Sequence, residues 1–210
     1  MTELAHPEAR DYACEMRWFQ AFVVLFAALG PLALAGCPKP EPAPKTQRLE
    51  PISVAPGFKA TDENGNIRRL SEFRGRPVVL YFYPKDGTPG CTREACAFRD
   101  EWQQLQASGA QVIGVSVDSV ESHAAFKKEH QLPFPLLSDP EGKVLAKYGV
   151  PRSPKGYASR TTFIIDAQGM IRRIFPEVDP AVHVKQVLET LHQLAEQGLD
   201  GNSPPPRSAK

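Results

Sequence analysis

The sequence predicts an α/β domain between residues 51 and 198, with a mixed β-sheet covered by helices. Three observations predict it. Residues 78–83 (VVLYFY) and 111–117 (QVIGVSV) are continuous apolar runs, the signature of strands buried on both faces. Val184, Val187, Leu188, Leu191 and Leu194 recur with helical period and define an amphipathic helix. Strand-like and helix-like stretches alternate along the chain, the pattern of helices laid against a sheet. About 150 residues are enough to bury one core.

Composition excludes several classes. The 210 residues carry 25 Lys+Arg against 24 Asp+Glu, a net charge of +1, which gives no electrostatic case for nucleic acid as a partner. Hydrophobic content of 41% is that of a globular protein. Four cysteines are too few for a disulfide-stapled scaffold.

The first 37 residues read as an export signal. Arg17 precedes the apolar run AFVVLFAAL at 21–29, and Gly30-Pro31 interrupts it before it reaches a comfortable membrane-spanning length. Residues 34–37 (LAGC) resemble the bacterial lipobox, in which the cysteine is lipidated and becomes the mature N-terminus. That resemblance implies lipidation at Cys37 and an exported, periplasm-facing, membrane-anchored protein. Acidic residues before Met16 fit a signal poorly, so Met16 is an alternative start to Met1. The uncleaved alternative, an anchor helix, also tethers the domain. Residues 38–50 (PKPEPAPKTQRLE) form a linker whose alternating prolines favour polyproline II, with a reach of roughly 40 Å at ~3.1 Å per residue.

Within the domain, Asn64-Gly65 supplies hairpin turn chemistry. The run at 78–83 is the central strand. Ala95, Phe98, Trp102 and Leu105 mark a helix after it, with Trp102 read as core. Residues 161–166 (TTFIID) and 171–175 (IRRIF) flank Gln168-Gly169 as a second hairpin, with Arg172 and Arg173 read as solvated strand surface. Residues 199–210, with three consecutive prolines at 204–206, read as a disordered tail.

Cysteine accounting isolates a pair. Cys14 leaves with the signal and Cys37 goes to lipid, which leaves Cys91 and Cys96. Pro89 and Gly90 break the chain just before, so Cys91 falls on the first turn of a helix. There the dipole and free N–H groups favour an anion. A buried structural pair, a zinc site and a redox dithiol compete. Zinc needs four ligands at characteristic spacing, and His6, His123, His130, His183 and His192 show none. Five residues apart on a helix means about 8–9 Å between Cα atoms and roughly 140° around the axis. A disulfide needs less than about 7 Å. If the two bond, the first turns of the helix must unwind.

The pattern Pro84-x-x-x-Thr88-x-x-Cys91 resembles the active-site motif of the peroxiredoxins. TPGCTREACAFRD (88–100) is similar to their Q-type branch, the bacterioferritin comigratory protein group. Further similarities lie at APGF (55–58), SEFRGRPVVLYFYPKD (71–86), GVSVDS (114–119), LPFPLLSD (132–139) and SRTTFIID (159–166). The resemblance implies a thioredoxin-like fold and a thiol peroxidase that needs no metal or cofactor. It implies that Cys91 is the peroxidatic cysteine, Cys96 the resolving cysteine of an intramolecular disulfide, Thr88 and Pro84 lining of the peroxide pocket, and Arg160 the active-site arginine oriented by Glu94. It also implies hydrogen peroxide and organic hydroperoxides as substrates, thioredoxin or a periplasmic thioredoxin-like dithiol as reductant, and a monomer. Gly57 stands where the family has Asp, and residues 151–159 are shorter than the corresponding loop. No cysteine follows Cys96, so a C-terminal resolving cysteine in a partner subunit is not expected. Lys85 and Asp86 read as loop residues.

Thiolate formation alone does not make a peroxidase. A thiol of pKa ~8.5 is about 3% ionised at pH 7, so lowering the pKa to ~6 gains at most ~30-fold. Reduced nucleophilicity returns about tenfold of that. The larger contribution must come from groups that hold the peroxide and its leaving oxygen, for which Arg160 has the right planar donors. Two other classes fit the composition. A thioredoxin-like disulfide oxidoreductase generally has two residues between its cysteines, against four here. A Sco-type copper-binding module has three, plus a histidine absent near residues 159–166.

Overall fold

The run VVLYFY lies at the middle of the sheet because both of its faces are covered. The computed structural model describes residues 52–201. Its strands are β1 (Ser53–Val54), β2 (Lys59–Asp62), β3 (Ile67–Arg69), β4 (Val78–Phe82), β5 (Gln111–Ser116), β6 (Leu136–Ser138), β7 (Thr161–Ile165) and β8 (Met170–Pro176). Its helices are α1 (Pro89–Asp100), α2 (Trp102–Ala107), α3 (Val120–His130), α4 (Lys143–Lys147) and α5 (His183–Glu196), with a 3-10 turn at Leu70–Phe73. One mixed sheet runs in the order β1-β8-β7-β4-β5-β6-β2-β3. Strands β4, β5 and β6 are parallel neighbours, and the remaining pairings are antiparallel. The thioredoxin-like α/β class expected from the sequence is the one observed.

Alternate residues of the central run serve two cores. Val79, Tyr81 and Tyr83 pack with Phe98 and Leu105 of the first two helices, Phe126 of α3, and Val187 and Leu191 of α5. Val78, Leu80 and Phe82 pack on the other face with Phe73, Leu145, Tyr148 and Phe163. A strand covered on both sides has no polar face, which is why it reads as a continuous apolar run.

Both expected hairpins form, and each is built by an aspartate. Asp62 Oδ1 accepts from the backbone N–H groups of Asn64 and Asn66, both at 2.9 Å, and Gly65 supplies the positive φ of 81°. Asp166 Oδ1 does the same for Gln168 (3.0 Å) and Met170 (2.8 Å), with Gly169 at φ 85°.

Three readings are corrected. The helical stretch through Trp102 and Leu105 is two helices, because Glu101 adopts φ −92° and ψ 14° and interrupts the ladder. Trp102 is partly buried against the core, beside Phe134. Arg172 is not solvated surface. The β7–β8 register shifts between Ile164 and Ile165, so Arg172 falls at a bulge. There its Nε donates to Asp166 Oδ2 at 2.6 Å, with 12% of the side chain exposed. Arg173 is exposed, its guanidinium over the Phe175 ring. Finally, the packed chain passes the boundary placed at 198. Leu199 N–H donates to Leu194 O, Ala167 N–H donates to Leu199 O, and Asp200 is buried.

The signal, the lipobox with Cys37, the linker at 38–50 and the tail from 202 lie outside the described residues. Among the described residues no helix is long and apolar enough to cross a membrane.

Candidate active site

Strand pairing brings the site together. Phe82, at the end of β4, pairs with Thr161, at the start of β7. The chain after β4 turns into α1, and the residue before Thr161 is Arg160, so the arginine stands beside the first turn of that helix. Thr88 is the helix N-cap, Pro89 follows at the first helical position, and Cys91 is in the first turn. A Cβ built on Gly90 would lie 2.9 Å from Arg160 Nη2, so the glycine keeps the arginine's approach open.

Cys91 is 1% exposed and is a free thiol, as is the half-buried Cys96 five residues along the same helix. Arg160 Nη2 donates to Cys91 Sγ at 3.4 Å, and its Nη1 donates to Glu94 Oε2 at 2.6 Å. One guanidinium thus spans the sulfur and the carboxylate. Burial opposes the charge on Arg160, but Glu94 and then Cys91 outweigh it and raise its pKa. Glu94 is fully buried, and its second oxygen has no hydrogen-bond partner among the described residues. Burial therefore pushes its carboxyl up to about 7, against the lowering effect of Arg160.

A pH dependence follows from that shift. Glu94 titrates at an ordinary 4.5 when unfolded and at about 7 when folded. The folded state holds the extra proton in that window, so the stability it contributes is full below pH 4.5 and lost as pH rises through 7. Glu94→Gln cannot ionise. Denaturant unfolding at pH 5 and 8.5 should show the variant gaining on the parent by up to about 3 kcal/mol at the higher pH. Parallel pH profiles would contradict the assignment.

Of the residues expected at the site, Cys91, Glu94 and Arg160 are in mutual contact through the guanidinium. Pro84 and Thr88 stand in the loop between β4 and α1. The Thr88 hydroxyl donates to the Lys85 carbonyl at 3.0 Å and makes no side-chain cap to its own helix. The ammonium of Lys85 sits 5.7 Å from the Tyr157 ring centroid, which brings the short 151–159 stretch against this loop. Sequence reasoning missed Asp86, whose side chain is only 7% exposed and is enclosed by Tyr83, Ser122 and His123. It saw Gly90 only as a chain breaker. The spacing of His123 and Phe126, both buried, was the available signal for the face that α3 turns inward.

A buried cysteine at a helix N-terminus, contacted by an arginine and followed by a second free thiol, is an arrangement suited to thiol-redox chemistry on a thioredoxin-like fold. The AhpC/TSA family model matches residues 52–174. The chloroplastic peroxiredoxin Q of Triticum aestivum is 39% identical over 193 residues, covering 90% of this chain and 89% of that protein. A putative bcp peroxiredoxin of Coxiella burnetii is 46% identical over 149 residues, covering 68% of this chain and 99% of its own length. Among solved structures, the peroxidoxin BcpB of Mycobacterium tuberculosis superposes with a TM-score of 0.65 at 36% identity, covering 69% of this chain and 97% of that one. The bacterioferritin comigratory protein of Xanthomonas campestris, whose structures concern its alkyl peroxide reduction, gives 0.63 at 28% identity, with 67% and 97% covered. The chain belongs to the AhpC/TSA family and, within it, to the Q-type peroxiredoxins, which are thiol-dependent peroxidases.

Proposed function

We propose that this peroxidase reduces hydrogen peroxide and organic hydroperoxides through Cys91, forms a Cys91–Cys96 disulfide within the chain, and is recycled by thioredoxin or a thioredoxin-like dithiol. The observation that carries the reading is the guanidinium of Arg160 held between Cys91 Sγ and Glu94. The Cys91 thiol first releases its proton to solvent; the thiolate attacks the hydroxyl oxygen of the peroxide, the O–O bond breaks, and the other oxygen leaves as hydroxide or alkoxide and takes up a proton from solvent to give water or an alcohol. Arg160 is placed to stabilise charge on both the sulfur and the departing oxygen. The resulting Cys91 sulfenic acid condenses with the Cys96 thiol and releases water. A dithiol then reduces the disulfide by exchange and is itself oxidised.

The same proposal places the enzyme outside the cytoplasm as a monomer, anchored through lipid on Cys37 and carried on the 38–50 linker. The lipobox-like LAGC and the proline-rich segment support the export and the anchor. Replacing Cys37 with Ser should release the protein from the membrane fraction.

The test of function is peroxide consumption with dithiothreitol as reductant. The parent should consume both hydrogen peroxide and cumene hydroperoxide, and Cys91→Ser neither. Insulin reduction or stoichiometric cuprous-ion binding without peroxide consumption would instead support the oxidoreductase or copper-binding alternatives.

A further inference from the structure

The loop that carries Pro84 and Thr88 is anchored at its middle. Asp86 turns its carboxylate inward. Its Oδ1 accepts from the Tyr83 hydroxyl at 2.7 Å. Its Oδ2 accepts from the Ser122 hydroxyl at 2.7 Å and faces His123 Nδ1 at 2.8 Å. Its backbone N–H donates to Asp118 Oδ2 at 2.9 Å, and the Ser116 hydroxyl donates to that same oxygen at 2.7 Å. Burial alone would raise the Asp86 carboxyl, but the bonds from His123, Tyr83 and Ser122 outweigh it and hold the group below its ordinary range.

These anchors come from the chain at the end of β4, from the β5–α3 connection and from α3. None comes from α1. Two residues beyond Asp86, after Gly87 at φ 67°, the Thr88 hydroxyl closes the turn on the Lys85 carbonyl. The Thr88 hydroxyl is therefore held from within the loop, while the Thr88 carbonyl, at the N-cap of α1, accepts from Thr92 N–H at 2.9 Å. Cys91 in turn takes its contact from Arg160 and not from this network.

We propose that Asp86 is a positioning residue for peroxide attack: it locks the wall formed by Pro84 and Thr88 onto β4 and α3, beside the first turn of α1 that carries Cys91. The proposal rests on the peroxidase reading above. It separates two properties that a general structural role would move together. Peroxide must be oriented by the wall, and misplacement of a positioned group costs up to about 100-fold. A small alkylating agent needs only to reach the thiolate and has no departing oxygen for the wall to orient.

The test uses the full chain with Cys96→Ser, and reads modification on the peptide that carries Cys91. Asp86→Ala should slow oxidation by hydrogen peroxide about 10- to 100-fold while alkylation by iodoacetamide stays within about threefold. Asp86→Asn keeps an oxygen for Tyr83 and offers an N–H to His123, so it should recover most of the peroxide rate. Ser122→Ala removes one bond from α3 without touching the loop. It should reproduce the selective loss at a few-fold, and it carries the test if Asp86→Ala does not fold. Equal loss in both reactions, or loss in neither, overturns the proposal. A Cys96→Ser parent that reacts with peroxide no faster than a free thiol overturns the peroxidase reading itself, and the proposal with it.

Discussion

Replacing Arg160 with Gln is expected to slow oxidation of Cys91 by hydrogen peroxide about 10²- to 10³-fold, the range for loss of one donor aimed at developing charge. The reason is arithmetic. Ionising a thiol more fully returns only a few-fold net gain, because nucleophilicity falls with basicity. The remaining acceleration needs preorganised donors at the reacting atoms, and Arg160 Nη2 is already on the sulfur at 3.4 Å. Arg160→Lys keeps the charge but not the fork that reaches both Cys91 and Glu94, so it should recover only part of the rate. The fold should tolerate the change. Without the guanidinium, burial keeps Glu94 protonated at neutral pH, so no unpaired charge is left inside. Stopped-flow oxidation of the reduced protein reads the effect. A glutamine variant within a few-fold of the parent would show that the arginine is not the principal donor.

Oxidation to the Cys91–Cys96 disulfide is expected to unwind the first turns of α1. Both cysteines lie in Pro89–Asp100, with Cys91 sealed in the core and Cys96 half-buried. Cα atoms about 8–9 Å apart cannot be bridged at less than about 7 Å while the helix stands. Bridging also takes Cys91 away from Arg160 and out of its packing against Ala95 and Phe98. Amide exchange should report it. The N–H of Thr92, bonded to the Thr88 carbonyl at 2.9 Å, and those through Cys96 should exchange at least about 100-fold faster in the disulfide form, as in other local openings. Protection in α5 should be unchanged. Equal protection of residues 92–96 in the two redox forms would rule the unwinding out.

The parts legible in the sequence were those whose signal is local. β4 is an unbroken apolar run, β5 holds VIGV between Gln111 and Ser116, α5 has a clean stripe, and both hairpins carry a turn glycine. The first turn of α1 was marked by Pro89-Gly90. Short or polar elements escaped. α3 buries only His123 and Phe126, so VESHAAFKKEH shows no apolar stripe. β6 is three residues between Pro135 and Asp139. At the site, motif spacing located Cys91 and Cys96, and the family pattern located Arg160 and Glu94. The burial of Asp86 was invisible because its partners Ser122 and His123 lie 36 and 37 residues away and meet it only in the fold. Arg172 was misread because a bulge, which leaves no mark in IRRIF, turns it onto Asp166.

The central claim, two cysteines acting in sequence on peroxide, is tested most directly by intact mass. The chain should carry Cys14→Ser and Cys37→Ser, which leaves Cys91 and Cys96 as its only thiols. The reduced protein is treated with one equivalent of hydrogen peroxide, alongside versions with Cys91→Ser or Cys96→Ser. Rapid loss of two hydrogens in the parent, a trappable sulfenic acid in Cys96→Ser and no fast reaction in Cys91→Ser are the predicted results. Three proteins that all react no faster than a free thiol would contradict the account.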